Sequence, residues 1–290
     1  MKKSCFLISY KGLYNSAGYL ETDMFKLAKE DGFDAVEPLV AHELAKDNAI
    51  EDAKKIAERI KANDLDCSCL SYAINMLDMS KEEAVAKLKR AVDIAITLGS
   101  PFLHHTFQVS LRPKEVDLYH KFHKTFVEIA RETALYAGEK GIECIYEDQG
   151  YYMNNPELFS ELMNDIGLEN TGVCLDVGNA LFGRTSPETW TNLFAKQIKH
   201  VHIKDYLKKS AQTAPAGWFK TIEGDFLRGT IIGHGVVNFE SVFASLIEFG
   251  YDGYLSLEYE GIEDWAHGVK ESVKNIDYYW KRAELKKDFI

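Results

Sequence analysis

The sequence predicts an α/β protein, a single-domain (β/α)8 TIM barrel over residues 1–290. Three observations predict it. Eight short runs of strand-type residues alternate with longer amphipathic stretches, the mark of a parallel sheet covered by helices. Several stretches leave through a glycine just before the next run, which suits a left-handed helix cap. The segment after the first run, Tyr10-Lys11-Gly12-Leu13-Tyr14, has no G-x-G-x-x-G, the loop an open doubly wound sheet would usually carry there. Eight such units in a chain of 290 residues fit a closed barrel.

Taken in order, the expected strands are Cys5–Ser9, Asp34–Pro38, Asp66–Tyr72, Pro101–Thr106, Glu143–Glu147, Gly172–Val177, Lys199–Lys204 and Tyr254–Glu258. The helix over 81–98 sets Ala84, Leu88, Ala91, Val92 and Ala95 on one stripe. Stretches 115–140 and 263–284 behave alike. The glycine exits are Asp31-Gly32-Phe33, Leu98-Gly99, Lys140-Gly141-Ile142 and Phe249-Gly250-Tyr251. One irregular piece stands out, about 206–237, between the seventh strand and its helix. A connection of roughly 30 residues is unusual inside a compact domain and often functional. It reads as a loop over the active-site mouth.

Composition narrows the function classes. The hydrophobic fraction is 46% and the charged fraction 27%, ordinary for a globular protein and not for a disordered one. No apolar run approaches the roughly 18 residues that cross a bilayer. The apolar start, Cys5 to Ile8, is too short for a secretory core, so it reads as a first strand and the protein is expected in the cytoplasm. The net charge of −11 opposes nucleic-acid binding, which needs a basic face. Five cysteines (Cys5, Cys67, Cys69, Cys144, Cys174) contain no C-x-x-C and lie in apolar runs. They read as small buried residues, not as disulfides or a zinc site.

In a barrel, side chains at the C-terminal strand ends converge on one mouth. The second strand ends at Glu37 and the fourth carries His104 and His105. The fifth ends with Glu147 and Asp148, and the sixth with Asp176. The seventh carries His200, His202, Lys204 and Asp205, and the eighth carries Glu258 and Glu260. A buried carboxylate without a partner costs several kcal/mol. Acids on strands five, six and eight, with a histidine on seven, therefore call for a common cation. Glu147, Asp176, His202 and Glu258 supply three carboxylates and one imidazole. That set suits Mn²⁺ first, then Mg²⁺ or Co²⁺, whereas Zn²⁺ usually takes more nitrogen or sulfur.

The order E…D…H…E, with HVHIKD on strand seven and LSLEYE on strand eight, resembles the xylose isomerase-like TIM-barrel superfamily, the sugar phosphate isomerases and epimerases. The likeness spans essentially the whole chain. It is supported by Gly32-Phe33-Asp34-Ala35-Val36-Glu37, by Gly233-His234-Gly235-Val236-Val237-Asn238-Phe239 and by Gly250-Tyr251-Asp252-Gly253. The resemblance implies one divalent metal on Glu147, Asp176, His202 and Glu258, with Glu147 and Glu258 also serving as acid and base. It implies a small sugar, ketose or related polyhydroxy compound as substrate, and a homodimer or homotetramer, as relatives often are. Two departures stand out. The family's D-x-x-H after strand six has Asn179 in place of histidine, and no D-x-H follows strand seven. Both remove ligands that the family's trinuclear DNA-repair branch needs.

Substrate contacts are expected from His105, Glu37, Asn179, Lys204 and Arg228, with Trp218 and Phe219 covering an apolar sugar face. Strand alternation lets only one of His104 and His105 face inward, and His105 is the expected one. Asp205 reads as a support to the site or a loop cap, and Asp277-Tyr278-Tyr279-Trp280 as core or subunit interface. The functional expectation is a metal-dependent sugar isomerase or epimerase working through an enediolate. Its alternatives are a metal-dependent lyase or dehydratase on the same scaffold and a non-catalytic sugar-binding protein.

Overall fold

The structure is a computed structural model that describes residues 1–107, 116–183, 185–210 and 212–286. Position 115 of the expected helix 115–140 and position 211 of the expected loop lie outside the described residues.

Eight barrel strands run in parallel. They are β1 (Lys2–Phe6), β2 (Ala35–Glu37), β3 (Asp66–Cys67 and Leu70–Tyr72), β4 (Phe102–His105), β5 (Glu143–Glu147), β6 (Thr171–Asp176), β7 (Ile198–Ile203) and β8 (Tyr254–Leu257). Each pairs with its sequence neighbours, and β8 pairs with β1. The barrel closes at β3, whose first segment pairs with β2. The Leu39–Ser71 bridge then joins the chain just past β2 to the second segment. The third strand is continuous in the sequence pattern but broken at Ser68–Cys69. Ser68 spends its hydroxyl inside the barrel on Ser4 Oγ (2.6 Å) and the Val36 carbonyl (3.3 Å).

The covering helices are α1 (Met24–Glu30), α2 (Ala49–Ala62), α3 (Lys81–Leu98), α4 (Val116–Gly138), α5 (Pro156–Ile166), α6 (Pro187–Phe194), α7 (Phe239–Glu248) and α8 (Trp265–Lys286). Their ends follow local chemistry. Ser80 caps α3 by accepting the Glu83 N–H, and Glu83 completes an S-x-x-E start. Asn155 and Ser186 cap α5 and α6, each followed by a proline at the first helical position. The four expected glycine exits are real. Gly32, Gly99, Gly141 and Gly250 have φ of 90°, 75°, 77° and 74°, which a side chain would strain. The α3 stripe Ala84, Leu88, Ala91, Val92 and Ala95 is buried as expected.

Alternation along the strands sorts the two faces. Outward residues such as Cys5, Leu103, Tyr146, Leu175, Val201 and Leu257 join the main core under the helices. The inward face is layered. A lower layer holds Cys69, Ile145, Cys174 and Phe102. Above it lies a polar layer of Glu37, Ser71, His104, His200, His202 and Ser256, all buried. All five cysteines are buried free thiols.

The segment 206–237 is not an irregular loop, as the sequence suggested. It folds into an antiparallel sheet of Asp205–Lys209, Phe226–Thr230 and Phe219–Lys220. The pairing Asp205↔Thr230 spans 25 positions, too far for local turn signals to reveal. Asp205 anchors its return. Its carboxylate accepts N–H groups from Tyr206, Gly233 and Gly235 at 2.8 Å and from Val237 at 3.2 Å. A Cβ on Gly235 would overlap that carboxylate. Asp205→Ala is expected to lower stability by on the order of 3 kcal/mol, because it orphans several buried donors at once. Urea unfolding checks this, and an unchanged midpoint would refute the anchoring role.

Candidate metal centre and active site

The C-terminal ends of β5, β6, β7 and β8 deliver Glu147, Asp176, His202 and Glu258 to one point. One ligand-type atom from each lies within 4.8 Å of all the others, and all four residues are buried. His202 Nδ1 faces the carboxylates, 3.0 Å from Glu147 Oε1, 3.5 Å from Glu258 Oε2 and 3.9 Å from Asp176 Oδ2. Its other nitrogen, Nε2, is 2.9 Å from Glu37 Oε1. A carboxylate behind a histidine is how metal-binding imidazoles are oriented, since it keeps the proton on the far nitrogen. The Phe6 ring stacks on His202 at 5.3 Å and fixes its plane.

Asp176 is held by the turn that follows it. Its Oδ1 accepts the N–H groups of Gly178 and Asn179 at 2.8 Å, which leaves Oδ2 toward the cluster. Lys204 reaches the same place from just past β7. Its Nζ is 2.9 Å from Asp176 Oδ2 and 3.1 Å from Glu258 Oε2. Burial opposes that charge, but the two carboxylates hold the lysine pKa well above its ordinary value. Asp148, fully buried beside the cluster, is pushed well upward by burial and by Asp176, so its neutral acid form is favoured.

The residues present fit a divalent cation. Glu37, Glu147, Asp176 and Glu258 are carboxylates in one buried volume, and Lys204 is the ammonium that offsets them. With neutral His202 as a ligand the cluster stays strongly negative. Asp176 Oδ2 and Glu258 Oε2 make no well-formed hydrogen bond. A hard cation among three carboxylates and an imidazole relieves both deficits.

Asn179 lies at the mouth, 6% exposed, with its Nδ2 donor buried and unpaired. Lys204 is inside the cluster, as described. Three expected substrate contacts are placed otherwise. His105 points to the opposite face, where its ring meets Tyr146 and Phe107 at 5.1 and 5.4 Å. The inward residue is His104, because β4 registers Phe102 with Glu143 and His104 with Ile145, an inward residue. Glu37 is not at the mouth but beneath it, 0% exposed. His202, His200, Ser71 and Ser256 occupy both of its oxygens. Arg228 lies on the antiparallel sheet, its guanidinium 6.0 Å from the Trp218 ring, with no contact to the four-residue cluster among the described residues. Trp218 is thus engaged by Arg228, and Phe219 is exposed.

Sequence reasoning gave no role to Ser71, Ser256 or His200, and it chose His105 over His104. His200 shares the face of His202 by i, i+2 spacing, a signal visible in HVHIKD. The serines carried no signal of their own.

His105 also makes a pH prediction. Burial pushes its pKa down to about 3, against roughly 6.5 unfolded. A depressed histidine favours folding only while neutral, so stability falls as pH drops below about 6.5 toward 3. Between pH 7 and pH 5 this one ring is expected to cost about 2 kcal/mol. His105→Phe, which keeps an aromatic ring against Tyr146, should show a loss smaller by that amount in paired urea titrations. Equal losses in both proteins would exclude the effect.

Fold and centre together define a class of protein: a TIM barrel whose last four strands bring three carboxylates and a histidine to one buried point. A model of the xylose isomerase-like TIM barrel family matches residues 25–279, and the chain belongs to that family. An inosose dehydratase of Clostridium perfringens is 27% identical over 166 residues, 56% of this chain and 55% of that protein. The chain therefore spans about half the length of that relative in the match. An inosose dehydratase of Clostridium botulinum is 21% identical over 289 residues, 92% of this chain and 95% of that protein. Among solved structures, a probable 3-DHS dehydratase of Bacillus anthracis superposes with a TM-score of 0.75 at 17% identity. That match covers 96% of this chain and 99% of the other. An L-ribulose 3-epimerase superposes with a TM-score of 0.74 at 16% identity, over 100% and 98% of the two chains. No helix among the described residues is long and apolar enough to cross a membrane.

Proposed function

We propose that this protein is a divalent-metal-dependent lyase that removes water from a small polyhydroxylated ketone after drawing off the proton beside its carbonyl. The observation that carries the reading is the closure of Glu147, Asp176, His202 and Glu258 to within 4.8 Å in a buried mouth. Relatives named for dehydration of inosose support the lyase outcome.

Glu147, Asp176, His202 and Glu258 would hold a divalent cation, Mn²⁺ before Mg²⁺, which would supply compact positive charge to offset the negative charge that develops on the substrate. The chain's own groups divide the proton work. Glu147, at the end of β5 with Oε1 3.0 Å from His202 Nδ1, is the carboxylate that takes the proton from carbon. Glu258, on the other side of His202 Nδ1 at 3.5 Å, is the partner that delivers a proton. As the C–H bond breaks, its electron pair moves to the carbonyl oxygen. When the carbonyl re-forms, the neighbouring hydroxyl leaves as water with the proton from Glu258. Lys204, at 3.1 Å from that carboxylate, compensates the charge left behind.

Epimerisation is the second reading, favoured by one feature: both glutamates flank His202 Nδ1, at 3.0 and 3.5 Å. There Glu258 returns its proton to the same carbon instead of to a hydroxyl. The test is incubation with Mn²⁺ in D2O and inosose, 3-dehydroshikimate, L-ribulose or D-allulose, followed by NMR. A dehydrated product supports the lyase. Deuterium at the carbon beside the carbonyl without water loss assigns an epimerase or isomerase. No exchange with any of the four overturns both readings and leaves a sugar-binding protein.

A further inference from the structure

We infer that His104 is a positioning residue whose Nε2 accepts a hydrogen bond from a substrate hydroxyl, and that Glu37 and Ser71 lock the ring in the tautomer able to do so. The inference rests on the function proposed above.

The hydrogen atoms can be placed one by one. Four groups converge on the Glu37 carboxylate at hydrogen-bond distance, Ser71 and His202 on Oε1 and His200 and Ser256 on Oε2. A carboxylate so surrounded only accepts. The Ser71 hydroxyl lies 2.5 Å from Glu37 Oε1, so its single hydrogen points there. Ser71 Oγ is also 2.8 Å from His104 Nδ1. With its hydrogen already committed, the serine oxygen accepts at that contact, and Nδ1 carries the proton. Neutral imidazole has one N–H, so Nε2 is left as a bare acceptor. The opposite arrangement would set two lone pairs against each other across the 2.5 Å contact.

That bare nitrogen has no partner. His104 is 4% exposed, and its Nε2 makes no hydrogen bond among the described residues. It lies 3.5 Å from Glu147 Oε2, an acceptor facing an acceptor. A buried acceptor without a donor is costly. A polyhydroxylated ligand brings the missing donor to a spot beside the group that takes the carbon-bound proton. His104 thereby selects which hydroxyl stands next to the reacting carbon.

Two measurements test this. In protein carrying ¹⁵N-labelled histidine, free of metal and at neutral pH, His104 should hold its proton on Nδ1. His104→Gln identifies the resonance. A proton on Nε2 overturns the inference, and this arm needs no substrate. Kinetics with Mn²⁺ use whichever of the four carbonyl compounds is turned over. His104→Phe should lower kcat/KM roughly 10–100-fold, the loss of one hydrogen bond in a desolvated site. His104→Gln, which keeps an acceptor, should restore part of it. Mn²⁺ affinity by electron paramagnetic resonance should stay within about twofold. A kcat/KM within about threefold of wild type overturns the inference, as does a tenfold loss of Mn²⁺ affinity, which would assign the ring to the ion. If no compound exchanges a proton, the proposed function fails separately, and the tautomer still decides the arrangement of His104.

Discussion

Glu147→Gln is expected to lower turnover by about 10³–10⁴-fold, the range for loss of a positioned proton-transfer group. The substitution keeps the side chain's size and its place at the end of β5, so the barrel should fold normally. It removes the negative charge that lies 3.0 Å from His202 Nδ1. Deuterium exchange into the substrate should disappear with turnover, because both need the same abstraction. Mn²⁺ affinity should also weaken, as one of three carboxylate ligands is lost. Exchange kept above a tenth of the wild-type rate would remove Glu147 from the proton-taking role.

Glu37→Gln is expected to damage the site without touching it. The carboxylate takes four donors: Ser71 and His202 on Oε1, and His200 and Ser256 on Oε2. A glutamine offers one acceptor oxygen and turns an N–H₂ group toward two of those donors. Breaking one partner of a buried charged network costs about 3–5 kcal/mol. Loss of the support behind a metal-binding histidine costs about 10–100-fold in metal affinity. Calorimetry and Mn²⁺ titration should therefore both respond. An unchanged melting temperature with unchanged affinity would show that His202 holds its tautomer by other means. Because Glu37 lies beneath the mouth, the KM of a substrate at saturating Mn²⁺ should change less than the Mn²⁺ affinity does.

Much of the architecture was legible in the residues themselves. Alternating strand-type runs and amphipathic stretches marked the eight units, and glycine exits marked where helices end, because the left-handed cap is a local demand. The four cluster residues could be paired off by strand because acids at strand ends are expensive to bury alone. The same reasoning misplaced Glu37. Position at a strand end says which end of the barrel a side chain occupies, not how deep it lies. Depth came from His200 and His202, which reach Glu37 from a strand more than 160 positions away.

The choice between His104 and His105 shows the limit most clearly. A parallel strand buried on both faces has no polar side to betray its alternation, so FLHH reads equally well in either phase. Only the register of β4 against β5 decides that His104 faces the cluster and His105 the helices. Likewise the 206–237 segment looked irregular because its pairing joins residues far apart. What the chain determined by itself was the barrel, its eight units and the ligand-type residues at its mouth, since local propensity and the cost of buried charge act through neighbours in sequence. What only tertiary structure decided was facing, depth and the Glu37–Ser71–His104 proton order, since each depends on which distant strand lies alongside.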